Sequence, residues 1–533
     1  MKFPKFSKRT IFVLVAILLL AVLAWWGLHG RVFKSDRDLA YMSATEQIEK
    51  FKSGELSPVD VLKAQLKMIE SYNGEVASRK EEVSDCLEFN GKVNAISFEN
   101  YEEALEQAKE AEKRYKNGTA RPLEGITIGV KDDNAVKGWV VDAGSLLYKD
   151  KAPAKEDDVM MERLREAGAI FVFQTTVPEF YCNISTWSRL YGVTRNPWNE
   201  YYSVGGSSGG SCAALAAGFC TIATGSDVGG SIRLPSSMCG VYGFRPPFGR
   251  VPQEDLTPWC TIGAQARTMK DLVLVQNVIA GPSAKDMTSI TPKLEYPFTY
   301  PDLRGVKIAV DYFENWTEGG IDKEEKEAMD KVVAALKKAG AEVVEVQLSW
   351  TSELIRPYAA GLTATSSMGG MLANVDPTSD LLTPYVAKLL RITPNEPGAV
   401  RLAKADKLTK LMHREVQEKV FSQGCIALIT PIFTTPHVPA DYGASDDKVA
   451  FINGKPAVLG QVFMTFPWNF LYTYPIVAVP AMLSKESVPI GVQVVGNTYQ
   501  DLDAFRVAMG LSKLLPQLYR GDRFPSFTNK KMD

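Results

Sequence analysis

The chain has 533 residues, 45% of them hydrophobic, and a formal net charge of −2 at pH 7. That length supplies a large hydrophobic core, and the near-neutral balance gives no basic excess for a polyanion, so no nucleic-acid partner is expected. Seven cysteines (Cys86, Cys182, Cys212, Cys220, Cys239, Cys260 and Cys425) are odd in number and scattered through apolar runs, which excludes a disulfide framework and reads as buried thiols.

In chain order, residues 1–10 form a basic segment carrying Lys2, Lys5, Lys8 and Arg9, and eighteen residues without charge follow at 11–28. As a helix such a run spans about 27 Å, close to the hydrocarbon thickness of a bilayer. Trp25 and Trp26 suit a membrane interface and no small-x-small cleavage site follows, so the run is expected to be an uncleaved transmembrane anchor rather than a signal peptide. Basic residues before the run place the N-terminus in the cytoplasm and the remainder of this single-pass protein on the non-cytoplasmic side. Residues 29–42 then read as a juxtamembrane linker, 43–525 as one domain and 526–533 as a tail.

Within that domain, residues 43–52 and 57–73 read as helices, the second with Pro58 in its first turn, and the charged, alanine-rich 102–116 as an exposed helix. Strands at 126–131 and 169–175 flank a helix at 157–167, an alternation that implies parallel pairing. The order strand, helix, strand recurs at 303–311, 323–339 and 342–348. Strands at 476–483 and 489–495 share a short connection that implies antiparallel pairing, and a helix at 500–515 closes the fold. The expected class is α/β, a large mixed, mostly parallel twisted sheet surrounded by helices. Leu381, Leu382, Tyr385, Val386, Leu389, Leu390 and Ile392 recur at near-helical spacing beside Lys388 and Arg391, which suits either a membrane-docking surface or an inward-facing helix.

The chemistry concentrates in two glycine-saturated turns, Gly205-Gly206-Ser207-Ser208-Gly209-Gly210 and Asp227-Val228-Gly229-Gly230-Ser231-Ile232-Arg233. Glycines let backbone N–H groups converge on a point where negative charge develops. A nucleophile at Ser231 would have the N–H groups of Val228, Gly229, Gly230 and Ser231 around it as an oxyanion hole. A serine needs a base, and Lys131, closing an apolar run, can be one only where burial leaves its amine uncharged; Ser207 would relay the proton. Asp227 and Arg233 carry opposite charges six residues apart and are expected to fix the loop as a buried pair, with Ser208 in a supporting hydrogen-bonding role. Neither turn ends in the Gly-Lys-Ser/Thr of a nucleotide-binding P-loop. His29, His413 and His437 are too few and too dispersed to suggest a metal site without carboxylates beside them, and no cofactor is expected.

The stretch from Tyr191 to Pro252, with both serine turns and Gly243-Phe244-Arg245-Pro246, resembles the amidase signature family, and supporting similarity runs from about residue 40 to 520. The resemblance implies Ser231 as nucleophile, Ser207 as bridging serine behind a cis peptide, Lys131 as base and residues 228–231 as oxyanion hole. With an anchor the chain most resembles the membrane-bound fatty-acid amide hydrolases, which implies a lipid-like amide substrate. Two alternatives stand beside it: a glutamine-hydrolysing member of an amidotransferase complex, which the same family includes, and a non-catalytic lipid-binding protein on the same fold.

Overall fold

The computed structural model describes residues 35–76, 92–355, 357, 367–391 and 398–527. Eleven strands form one sheet in the spatial order Ile96–Glu99, Ile170–Thr175, Thr127–Lys131, Ile222–Asp227, Thr261–Ala266, Tyr242–Arg245, Ile476–Leu483, Pro489–Gly496, Ala427–Pro431, Lys307–Val310 and Glu342–Glu345. The sheet is mixed, as expected, but it is not mostly parallel. Four neighbouring pairs run parallel and six antiparallel. The parallel pairs sit toward the two ends, where crossover helices intervene. The centre is antiparallel because the Ile476–Leu483 and Pro489–Gly496 hairpin and the strands Ile222–Asp227, Tyr242–Arg245 and Thr261–Ala266 meet there.

Side-chain alternation divides the core between the two faces of the sheet. Ile308 and Val310 join one cluster with Val332 and Leu336 of the helix Lys323–Lys338, while Ala309 between them joins a second with Trp316 and Trp468. Ile128 and Val130 face the first cluster as well, so Lys131 continues the strand from the opposite side. On that side lies the wholly buried helix Gly209–Ala216, packed with Ile170, Val172 and Phe173.

Hydroxyl caps set the starts of two N-terminal helices. Ser43 caps Ala44–Ser53 and Ser57 caps Pro58–Tyr72, each in a reciprocal capping box with an acidic residue three positions on. The expected strands and helices at 170–175, 323–338, 342–345, 476–483, 489–496 and 501–514 form within a few residues of their predicted limits.

The membrane assignment is corrected. No helix among the described residues is long and apolar enough to cross a membrane, and segment 11–28, on which the single-pass expectation rested, lies outside the described residues. Of the two readings of the stripe at 381–392, the packing supports the inward-facing helix. Pro384–Arg391 is a helix, but Leu382 and Val386 are buried against Ala143 and Phe180, and the Tyr385 hydroxyl donates to Trp187 O at 2.8 Å and accepts from Glu179 N at 2.6 Å. Leu382 and Val386 turn the stripe toward the protein's own core, while Leu381 stays exposed.

Candidate active site

Lys131 ends a strand buried at every position, and its own side chain is 0% exposed. Its backbone N–H donates to Thr224 Oγ1 at 2.9 Å, and its carbonyl accepts from the N–H groups of Asp133 (2.8 Å) and Asn134 (3.0 Å). That tight turn folds Asp133 back beside the amine. Lys131 Nζ then has three partners: Ser207 Oγ at 2.9 Å, Ser226 Oγ at 2.7 Å and Asp133 Oδ2 at 2.9 Å. The Tyr181 ring lies over it, 5.3 Å from Nζ to centroid. An amine buried this deeply is held by matched polar groups rather than by water.

Ser207 is buried and follows a cis Gly206–Ser207 peptide, as the family resemblance implies. Its turn threads a narrow gap: a side chain on Gly206 would collide with Asn183 O. Ser208 ends the turn in front of the helix Gly209–Ala216. Its N–H donates to Ser231 O at 3.2 Å, which joins the two serine turns through the backbone, and its hydroxyl donates to Ser226 O at 3.4 Å. The structure therefore brings Lys131 and Ser207 into direct contact and sets the Ser231 loop against them. No side-chain hydrogen bond joins Ser207 and Ser231 among the described residues.

The Ser231 loop is built around the charge pair read from the sequence. Arg233 Nε and Nη2 each donate to a different oxygen of Asp227 at 2.9 Å, and both side chains are wholly buried. Arg233 also donates to Thr465 O, Gln493 Oε1 and Asn469 Oδ1. Burial alone would raise the Asp227 carboxyl, but Arg233, Arg245 and Asn469 outweigh it and hold the group down at about 2. This carboxylate then accepts from the backbone, from Gly230 N at 2.8 Å and Ile232 N at 3.3 Å.

That last contact alters the expected oxyanion hole. Gly230 N–H is taken by Asp227, whereas the N–H groups of Val228, Gly229 and Ser231 have no acceptor among the described residues. Val228, Gly229 and Ser231 are also the loop positions open to solvent, between buried neighbours. Unpaired N–H groups beside an accessible hydroxyl suit an oxygen that gains charge during attack on a carbonyl.

Asp133, Ser226, Thr224 and Thr465 are site residues that the sequence reading did not single out. Thr465 Oγ1 donates to Gly229 O at 2.6 Å and pins the loop from a distant segment. For Asp133 a signal existed, since it lies two residues beyond Lys131 in the same turn. The cysteines read as buried thiols: Cys212, Cys220, Cys239, Cys260 and Cys425 are buried and Cys182 is half-buried. Cys86 and His29 lie outside the described residues. Elsewhere the fold supplies carboxylates to one histidine: His437 Nε2 lies 2.7 Å from Glu486 Oε2 and 3.4 Å from Glu324 Oε2, with ligand atoms close enough to share a cation. The three arise from separate segments, so sequence spacing could not reveal them.

Comparison with known proteins places this geometry. The profile of the Amidase family matches residues 81–503. A glutamyl-tRNA(Gln) amidotransferase subunit from Desulfotalea psychrophila is 30% identical over 510 residues, spanning 89% of this chain and 97% of that protein. Its counterpart from Carboxydothermus hydrogenoformans is 35% identical over 332 residues, 60% of this chain and 64% of that protein. Among solved structures, a bacterial aryl acylamidase of the amidase signature family superposes with a TM-score of 0.76 at 24% identity, covering 89% of this chain and 96% of its own. The two sequence relatives are named for an amidotransferase and not as fatty-acid amide hydrolases. Those names favour the amidotransferase alternative over the fatty-acid amide hydrolase resemblance.

Proposed function

The chain belongs to the amidase family, and from that membership we propose that it cleaves carboxamide C–N bonds through an acyl-enzyme on Ser231. The observation that carries this reading is the buried contact of Lys131 Nζ with Ser207 Oγ at 2.9 Å beside the accessible Ser231 loop. In acylation, Ser231 Oγ bonds to the amide carbon, its proton passes to Ser207, and the Ser207 proton passes to Lys131. The carbonyl electrons move onto oxygen, facing the N–H groups of Val228, Gly229 and Ser231. The relay then reverses to protonate the departing nitrogen. Water enters by the same route and releases the acid.

For the substrate, the long matches to glutamyl-tRNA(Gln) amidotransferase chains support the side-chain amide of glutamine, with ammonia passed to a partner chain. A panel of glutamine, short primary amides and long-chain acyl amides, assayed for amide hydrolysis with and without copurifying protein, tests this. Glutamine turnover that depends on Ser231 is the expected result. Turnover confined to long-chain amides would reject the glutamine reading, and turnover unchanged in Ser231→Ala would reject the mechanism.

A further inference from the structure

The relay employs the amine and both serines but leaves idle the carboxylate that touches the amine. Asp133 Oδ2 lies 2.9 Å from Lys131 Nζ and also accepts from the Ser226 hydroxyl, which itself stands 2.7 Å from Nζ. Because Ser226 spends its proton on Asp133, its oxygen is free to accept from Nζ. The amine therefore faces three acceptors, Ser207 Oγ, Ser226 Oγ and Asp133 Oδ2, which matches the three donors of an ammonium.

We propose that Asp133 is a positioning residue and counter-ion for Lys131, which aims the amine at Ser207 and balances the charge that the amine takes up during turnover. The proposal rests on the serine-hydrolase reading given above. When the Ser231 proton arrives by way of Ser207, Lys131 becomes an ammonium inside a dry site, and Asp133 neutralises it until the proton returns to the leaving nitrogen. Asp133 thus assists the charged intermediate and holds the amine in line with Ser207 between turnovers.

Other groups around the amine are committed elsewhere. The Tyr181 ring covers it while the Tyr181 hydroxyl donates to Asp132 O at 2.8 Å. Asp132 is buried and accepts from Ala143 N at 3.4 Å, Asp142 accepts from the Tyr191 hydroxyl, and Asp227 is locked by Arg233. Asp158 interacts with Asp133 from its own helix cap, and the buried thiols of Cys212 and Cys260 lie within electrostatic range of Lys131.

The test is the rate of covalent labelling by a fluorophosphonate at one pH, with kcat and KM for amide hydrolysis, in wild type, Asp133→Asn, Asp133→Glu and Ser226→Ala. A misaligned base costs rate and not binding, so Asp133→Asn should lower the labelling rate and kcat by about tenfold or more with KM little changed. Asp133→Glu should recover part of that loss. Should Asp133→Asn fail to fold, Ser226→Ala, which frees Asp133 from its tether, should still lower kcat. A labelling rate and kcat equal to wild type in the folded variants, or a loss confined to KM, overturn the proposal. Labelling that never reaches Ser231 in wild type overturns the underlying hydrolase reading instead, so the two failures are distinct.

Discussion

Arg233 holds Asp227 by both carboxylate oxygens, and Asp227 in turn holds the backbone that carries Ser231. Breaking one partner of a fully buried pair leaves the other charge uncompensated, at a cost of about 3–5 kcal/mol. Asp227→Asn should therefore lower the urea midpoint strongly, and Arg233→Lys, which loses the two-pronged geometry, should lower it as well. The folded carboxyl titrates at about 2, below its ordinary value of 3.8. Its stabilisation is then fully present above pH 3.8 and is lost as pH falls toward 2. Acid unfolding followed by circular dichroism should show that slope in wild type and not in Asp227→Asn.

The relay makes a separate demand. Lys131→Ala removes the base and Ser207→Ala the bridge, and general acid–base contributions of this kind are typically about 10²–10⁴-fold. Each variant should lose amide hydrolysis by such a factor in initial-rate assays. Retention of the wild-type rate in either would remove that residue from the relay.

Gly230 and Gly229 should respond differently to the same substitution. Gly230 has φ +126° and a side chain there would collide with Thr465, whereas at Gly229 the nearest atom is the Phe466 ring at 3.0 Å. A ring can shift by a few tenths of an ångström, but the left-handed backbone at Gly230 cannot be relieved so easily. Gly230→Ala should reduce both melting temperature and hydrolysis, with Gly229→Ala the milder of the two. Equal effects would count against the loop geometry.

Asp158 offers a pH test away from the serines. It caps the helix Val159–Glu166 by accepting from Met161 N at 2.9 Å, and burial pushes its carboxyl up to about 7 despite that bond. An acid raised in this way binds more protons folded than unfolded between pH 3.8 and about 7, so stability falls as pH rises through that window. Asn keeps the capping oxygen without the charge. Asp158→Asn should flatten the decline of urea stability across that same window, and an unchanged slope would show that Asp158 does not cause it.

Much of this architecture was legible in the sequence because its signals are local. Ser43 and Ser57 announce helix starts, and the glycines around Ser207 and Ser231 announce tight turns with converging N–H groups. The Asp227 and Arg233 pair was also readable, since both ends lie in one loop. What escaped is assembled across the chain. The strand Ile222–Asp227 is made largely of small and polar residues and carries little apolar pattern, and its antiparallel pairing with Thr261–Ala266 makes the sheet less parallel than the outer strand–helix alternation suggests. The apolar stripe at 384–391 has the periodicity of either a membrane-facing or a core-facing helix, and only its packing against Phe180 decides between them. Gly230 was assigned to the oxyanion hole because its N–H is adjacent to Ser231, and only the fold shows that Asp227 claims it.

The most direct measurement is intact-mass spectrometry after exposure to a fluorophosphonate, followed by peptide mapping. Wild type should gain one adduct, on Ser231, and Ser231→Ala should gain none while melting as wild type does. An adduct that persists in Ser231→Ala, or that maps to another residue in wild type, would contradict Ser231 as the nucleophile.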